Sequence, residues 1–259
     1  MVATSRILTN GFTHYPPSLQ NGLIGWWTFD DGFARDYSGR GNDGKLGGST
    51  NPIPVAGIVP GIGAPGGALI FDGANSHVDT SLNPSGFTTF SISLWVYHNS
   101  AVGNQRAVAN DHTDSDNNGF EVITGALFQF AYGNGTTFGG GNTGVAFATN
   151  QWDHILCTFD FATGSNMYKN GVNVATNGAI AGSMTAGSNG ISFGFNPNYL
   201  GDFFNGRIDD VRIYNRSLSA SEAFELWFMG RQAFDEPNML AMALSAAAAA
   251  DVLQSQIIM

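Results

Sequence analysis

Two groups of oxygen donors in this chain have the composition of a hard-cation site. Asp30, Asp31, Asp36, Asn42 and Asp43 fall within one short stretch, and Asp209 and Asp210 stand together far downstream. A cation such as Ca2+ takes roughly six to eight oxygen ligands at about 2.3–2.6 Å, which carboxylates and amide oxygens supply. The same side chains also fix turns by accepting backbone N–H bonds. The alternative is therefore that these acids cap turns and face water.

Other local patterns fall short of the chemistry they suggest. Asp114, Asp116, Asn118 and Gly119, in the run from Asp111, match the opening of a Ca2+-binding helix-loop-helix motif. Position twelve of that loop would be Gly125, where the motif needs a bidentate Glu, so a polar loop between strands is expected. Gly190-Ile191-Ser192-Phe193-Gly194 has the nucleophile-elbow spelling, but Asn196-Pro197-Asn198 follows as a turn where the elbow needs a helix. Ser192 therefore reads as a strand residue. The single cysteine, Cys157, lies in the apolar run Ile155–Phe159 and reads as a buried thiol. Exposed aromatic rings that could stack on a sugar are sought at Tyr37, Tyr132, Phe138 and Tyr199.

Composition narrows the partners. Ten Lys and Arg stand against 20 Asp and Glu, a net charge of −10, with no basic cluster. That argues against nucleic acid and anionic membrane and fits metal cations, neutral sugars or other proteins. No apolar run reaches the ~18 residues of a membrane span, and the opening MVATSRILTN lacks the apolar region of a secretory signal.

The elements that must position these groups are strands. Leu23–Phe29, Ala68–Phe71, Phe90–His98, Phe120–Thr124, Ala126–Tyr132, His154–Asp160, Asn166–Lys169, Ile191–Phe195 and Gly206–Tyr214 carry strand signals between turns. Asn170-Gly171 between Tyr168-Lys169 and Val172-Asn173 predicts a tight hairpin. Ser219-Ala220-Ser221-Glu222 predicts a capping box and a short helix through about Met229. Residues 1–20 read as an extended arm ending at Pro16-Pro17. Residues 229–259 read as an apolar helical tail, and Met239, Leu240, Leu244 and Leu253 are its candidate assembly contacts. Such a helix must be covered, by its own domain or by another subunit.

The order of several motifs resembles the laminin-G-like family of the concanavalin A-like lectin/glucanase superfamily. They run Gly22-Leu23-Ile24-Gly25-Trp26-Trp27-Thr28-Phe29-Asp30, Asp36-Tyr37-Ser38-Gly39, Ala68-Leu69-Ile70-Phe71-Asp72-Gly73, Phe90-Ser91-Ile92-Ser93-Leu94-Trp95-Val96, Trp152-Asp153-His154-Ile155 and Phe204-Asn205-Gly206-Arg207-Ile208-Asp209-Asp210-Val211. The resemblance covers residues 21–228 and implies an all-β, two-sheet antiparallel jelly-roll sandwich. The physical reading agrees, since Trp26, Phe29, Phe71, Trp95, Trp152, Ile208, Val211 and Ile213 recur on strand patterns and would fill the space between the two sheets. The resemblance also brings the first and last strands together, so that Asp30, Asp31, Asp36, Asn42, Asp209 and Asp210 would share a structural Ca2+. Glycosidases on this fold carry an E-x-D-x-x-E strand. The four glutamates here, Glu121, Glu222, Glu225 and Glu236, form no such pattern, and a non-catalytic module is expected. Members with an arm and a helical tail are similar to bacteriophage proteins, so the first expectation is a virion decoration, head-fibre or tail protein assembling with other subunits. The alternative is a lectin-like module that binds glycans.

Overall fold

The computed structural model describes residues 16–58, 66–110, 117–186, 188–198 and 201–231. Fifteen strands run in chain order: β1 Leu23–Trp27, β2 Lys45–Gly47, β3 Ile53–Ala56, β4 Gly67–Asp72, β5 His77–Asp79, β6 Thr89–His98, β7 Asn104–Asn110, β8 Phe120–Gly125, β9 Gln129–Gly133, β10 Phe138–Asn142, β11 Trp152–Asp160, β12 Gly164–Lys169, β13 Val172–Asn177, β14 Ser192–Phe193 and β15 Asn205–Tyr214. One sheet has the order β13-β12-β11-β6-β15-β4-β3, with β1 pairing β15, and the other has the order β10-β9-β8-β7-β14-β5-β2. Every strand pairing is antiparallel. This is the two-sheet jelly-roll sandwich that the sequence predicts.

Alternation explains which side chains meet between the sheets. Phe90, Ile92, Leu94 and Val96 of β6 face Phe120, Val122, Phe128, Phe130 and Phe193 from the opposite sheet in one buried cluster. Phe29, Phe71, Ile208, Val211 and Ile213 join it as expected. Trp26, Trp95 and Trp152 do not. Trp27 takes the inward position, 0% exposed, with its ring 5.0 Å from that of Phe193. Two adjacent tryptophans on a strand must point to opposite faces, so Trp26 is turned outward. Trp95 stands on the outer face beside Ile58, with Trp152 and Trp227 packed against them.

The predicted hairpin forms between β12 and β13, with Asn170 and Gly171 both at positive φ (53° and 76°), as the twist-matched two-residue turn requires. Ala126 and Leu127 form a turn, so the expected Ala126–Tyr132 strand begins only at Gln129. The last residues of the expected arm are not extended. Pro17–Gln20 form one helical turn, α1, with extended Pro16 before it. Proline's fixed φ suits the first helical position, and Leu19 is buried there.

A second helix, α2, covers residues 220–231. Its capping box is realised: the Ser219 N–H donates to Glu222 Oε2 at 2.8 Å, and the Glu222 N–H donates to Ser219 Oγ at 3.3 Å. Leu218, Ala223 and Leu226 pack with Leu19 on Leu156, Tyr168 and Tyr214 of the eight-stranded sheet's outer face. The helices thus cover one part of that face. No helix among the described residues is long and apolar enough to cross a membrane.

Candidate ligand-binding site

The loop between β1 and β2 is built around Asp36. Its carboxylate accepts N–H bonds from Trp26 (3.0 Å), Ser38 (2.8 Å) and Asn42 (2.8 Å). Burial pushes this carboxyl up, but the bonds from Ser38, Asn42 and Trp26 outweigh it and hold it below the usual range. Asp43 accepts from the Asp36 N–H at 2.8 Å, and the Asn42 amide donates to the Ile24 carbonyl at 2.9 Å. Ala34, 2% exposed, plugs the loop into the core.

The expected cation set does not fit a Ca2+ site. First and last strands do lie together, but their acids are used by other donors. Asp30 Oδ1 accepts from the Gly67 N–H at 2.8 Å, and Asp209 Oδ2 accepts from the Ile58 N–H at 2.8 Å. Asp210 accepts from the Trp26 indole at 2.7 Å and pairs with Arg212 at 3.0 Å. Among the described residues, no three His, Cys, Asp or Glu side chains converge as metal ligands. A cation would have to displace N–H bonds that shape the loop and the last strand.

What this loop presents outward is an aromatic platform. Phe33 is 56% exposed and Tyr37 is 37% exposed. The Phe33 N–H donates to Asp31 Oδ1 at 3.0 Å, and Asp31 Oδ2 pairs with Arg35 at 2.9 Å. The Arg35 guanidinium lies 5.3 Å from the Phe33 ring centre. The Tyr37 hydroxyl reaches Asp31 Oδ2 at 3.5 Å, and its ring meets Trp26 edge-on at 6.4 Å. Burial, and then the Asp31 charge, raise the Tyr37 phenol, so it stays a donor. Asp31 and Tyr37, predicted for different roles, thus meet in one site. The prediction missed Phe33 and Arg35, although Phe33-Ala34-Arg35 places a small plug between two long side chains.

The other expected aromatic residues do not join it. Tyr132 is fully buried, stacked on Phe159 with ring centres 4.7 Å apart, so it cannot meet a ligand. Phe138, 47% exposed, lies on β10, at the opposite edge of its sheet from β2. Tyr199, the Asp111–Asp116 run and the tail residues Met239, Leu240, Leu244 and Leu253 lie outside the described residues.

Reactive groups elsewhere are held as structure. Cys157 is buried, which raises its thiol well above the ordinary value. Ser192, 2% exposed in β14, donates to Asp79 Oδ1 at 3.0 Å, while His77 lies on the other Asp79 oxygen at 3.4 Å. Ser192 therefore bonds acid rather than imidazole, which is not the serine–base pairing of an activated nucleophile. Glu121 pairs with Arg106 at 2.9 Å, both nearly buried, and Asp202 holds the other side of that guanidinium.

Two antiparallel sheets packed face to face around one apolar core make this a jelly-roll sandwich. The chain belongs to the concanavalin A-like lectin/glucanases superfamily, whose family model matches residues 72–223, more than half its length. No curated protein sequence matches the chain. Its structure is similar to domain 4 of AbnA, a GH43 extracellular arabinanase from Geobacillus stearothermophilus, in complex with arabinotriose. The TM-score is 0.63 at 21% identity, over 79% of this chain and 97% of that one. It is also similar to the binding domain of Paraclostridial Mosquitocidal Protein 1, with a TM-score of 0.62 at 20% identity, over 81% of this chain and 52% of that one. A third similarity is to the binding domain of Botulinum Neurotoxin DC in complex with SialylT. The TM-score there is 0.61 at 17% identity, over 82% of this chain and 52% of that one. The chain thus spans about half the length of these toxin binding domains. At such identities the likeness is one of fold.

Proposed function

We propose that this protein is a non-catalytic carbohydrate-binding module whose ligand lies on the Phe33–Tyr37 platform. The carrying observation is that a Phe ring 56% exposed is held in place by an anchored loop, with a carboxylate and a guanidinium at its edge. A sugar offers a C–H face to such a ring and hydroxyls to such polar groups. The platform is pre-formed, so little ordering cost accompanies binding. Asp31 accepts from Phe33, Tyr37 and Arg35, which favours holding a ligand hydroxyl over donating a proton to a glycosidic bond.

The fold neighbour from the arabinanase, seen with arabinotriose, supports this reading over the virion role. The residues expected to carry assembly lie outside the described part of the chain. A glycan array on the full chain, followed by calorimetry on the best binder, tests it. Phe33→Ala is expected to weaken binding roughly tenfold, about 1.4 kcal/mol, with an unchanged melting temperature. Binding that ignores both Phe33→Ala and Tyr37→Ala, or no glycan bound at all, would overturn it.

A further inference from the structure

We infer a second ligand site, on the part of the eight-stranded sheet's outer face that α1 and α2 leave open among the described residues, that takes a carboxylate-bearing sugar unit with Arg207 as its anion anchor. This rests on the glycan-binding reading but uses none of the rim platform's residues.

Strand register carries the geometry. Trp152 of β11 stands opposite Tyr97 of β6, Tyr97 opposite Arg207 of β15, Arg207 opposite Ile70 of β4, and Ile70 opposite Ile53 of β3. Directly opposed residues share a face. This is the outer face, because Val96, Leu69, Phe71 and Ile208 point into the core. The row crosses five strands, about 19 Å at ordinary strand spacing. Trp152, Tyr97, Arg207 and Ile70 are half-buried and Ile53 is 55% exposed. The rings of Tyr97 and Trp152 meet edge-on at 5.5 Å.

Arg207 is the unusual member. Arg35, Arg106, Arg212 and Arg216 each have a carboxylate partner. Arg207 has none among the described residues; its guanidinium instead lies 4.7 Å from the Tyr97 ring centre. Its Nε is buried without an acceptor. Asp209, two residues along the same strand, accepts the Ile58 N–H on Oδ2 at 2.8 Å. In a chain of net charge −10, a ring-braced guanidinium with no carboxylate partner among the described residues is a local exception to the repulsion of anions. Its planar fork suits a carboxylate, and the flanking rings suit the C–H face of the same sugar ring. A small inorganic anion would leave that apolar row unused.

The test is calorimetry on the full chain with two probes, a uronate trisaccharide and sialyllactose, each against its carboxyl-reduced neutral counterpart. At least one acidic probe is expected to bind about tenfold tighter than its reduced form, with the preference falling as salt is raised. Arg207→Gln is expected to abolish the preference, and Arg207→Lys to weaken it, with folding checked by melting. Phe33→Ala is expected to leave the preference intact. Equal binding of acidic and reduced forms by the unsubstituted chain, or a preference that survives Arg207→Gln, overturns the inference. The wild-type contrast decides it even if a variant fails to fold. Neutral glycans that bind through Phe33 with no acid preference would sink this site alone. Absence of all glycan binding would sink both readings.

Discussion

The Trp26 indole N–H donates to Asp210 Oδ1 at 2.7 Å across 184 residues of sequence, while Arg212, held by that same carboxylate, lies 4.8 Å from the Trp26 ring centre. Acid, base and ring thereby clamp the first strand to the last at a bulge where Asp210 has φ 47°. Arg212 is 3% exposed, and removing the partner of a buried guanidinium is costly. Asp210→Ala is expected to lose about 3 kcal/mol, measured as a shifted urea midpoint with unchanged slope. Asp210→Asn, which tolerates positive φ and keeps one acceptor, is expected to lose less.

The seven-stranded sheet holds a second buried pair. Arg106→Ala leaves Glu121, 5% exposed on its side chain, without its cation. A loss of roughly 3–5 kcal/mol is expected, and the double replacement Arg106→Met with Glu121→Leu is expected to recover much of it. A double replacement as damaging as the single one would count against desolvation as the cause.

Two buried imidazoles set an acid limit. Burial lowers His98 to about 4 between Phe147 and Phe204, at 4.7 and 5.2 Å. Nearby Asp153 opposes this and Lys169 adds to it. Burial, and then Arg212, lower His154 to about 3, where its Nε2 meets Ser93 Oγ at 2.8 Å. Both folded values lie below the ordinary 6.5, so the unfolded chain takes up protons first. Stability is whole above pH 6.5 and falls from there down to about pH 4 for His98 and about pH 3 for His154, by roughly 3 kcal/mol for the first and roughly 5 kcal/mol for the second at the lower end. Urea midpoints measured across that range in His98→Phe are expected to fall less steeply than in the unsubstituted chain.

The β12–β13 hairpin tests a backbone requirement. Gly171, at φ 76°, would also bring a Cβ to 3.1 Å from the Trp227 ring. Gly171→Ala is expected to cost about 1 kcal/mol or more, whereas Gly39→Ala, in open space at φ 78°, isolates the conformational part alone. Equal losses at the two positions would show that the Trp227 contact contributes nothing.

Much of this arrangement was already written in local patterns. Period-two alternation over Phe90–Val96, the Asn170-Gly171 turn and the Ser219–Glu222 box need only neighbouring residues to act, and each forms where the sequence places it. Strand β7 escaped notice because Arg106 interrupts its apolar pattern, and its burial depends on Glu121 of a strand across the loop. The acids of the β1–β2 loop were visible as acids, but not as acceptors for backbone N–H groups, because only a folded loop brings those donors to them.

The chain's own order of residues thus determined the class of fold, its strands and turns, since apolar periodicity and turn chemistry act over a few residues. Tertiary structure decided which of two adjacent tryptophans turns inward, that Tyr132 is core while Phe33 is surface, and that Arg207 stands over the Tyr97 ring. Those outcomes depend on the parity and register of strands far apart in sequence, where a shift of one residue exchanges the two faces.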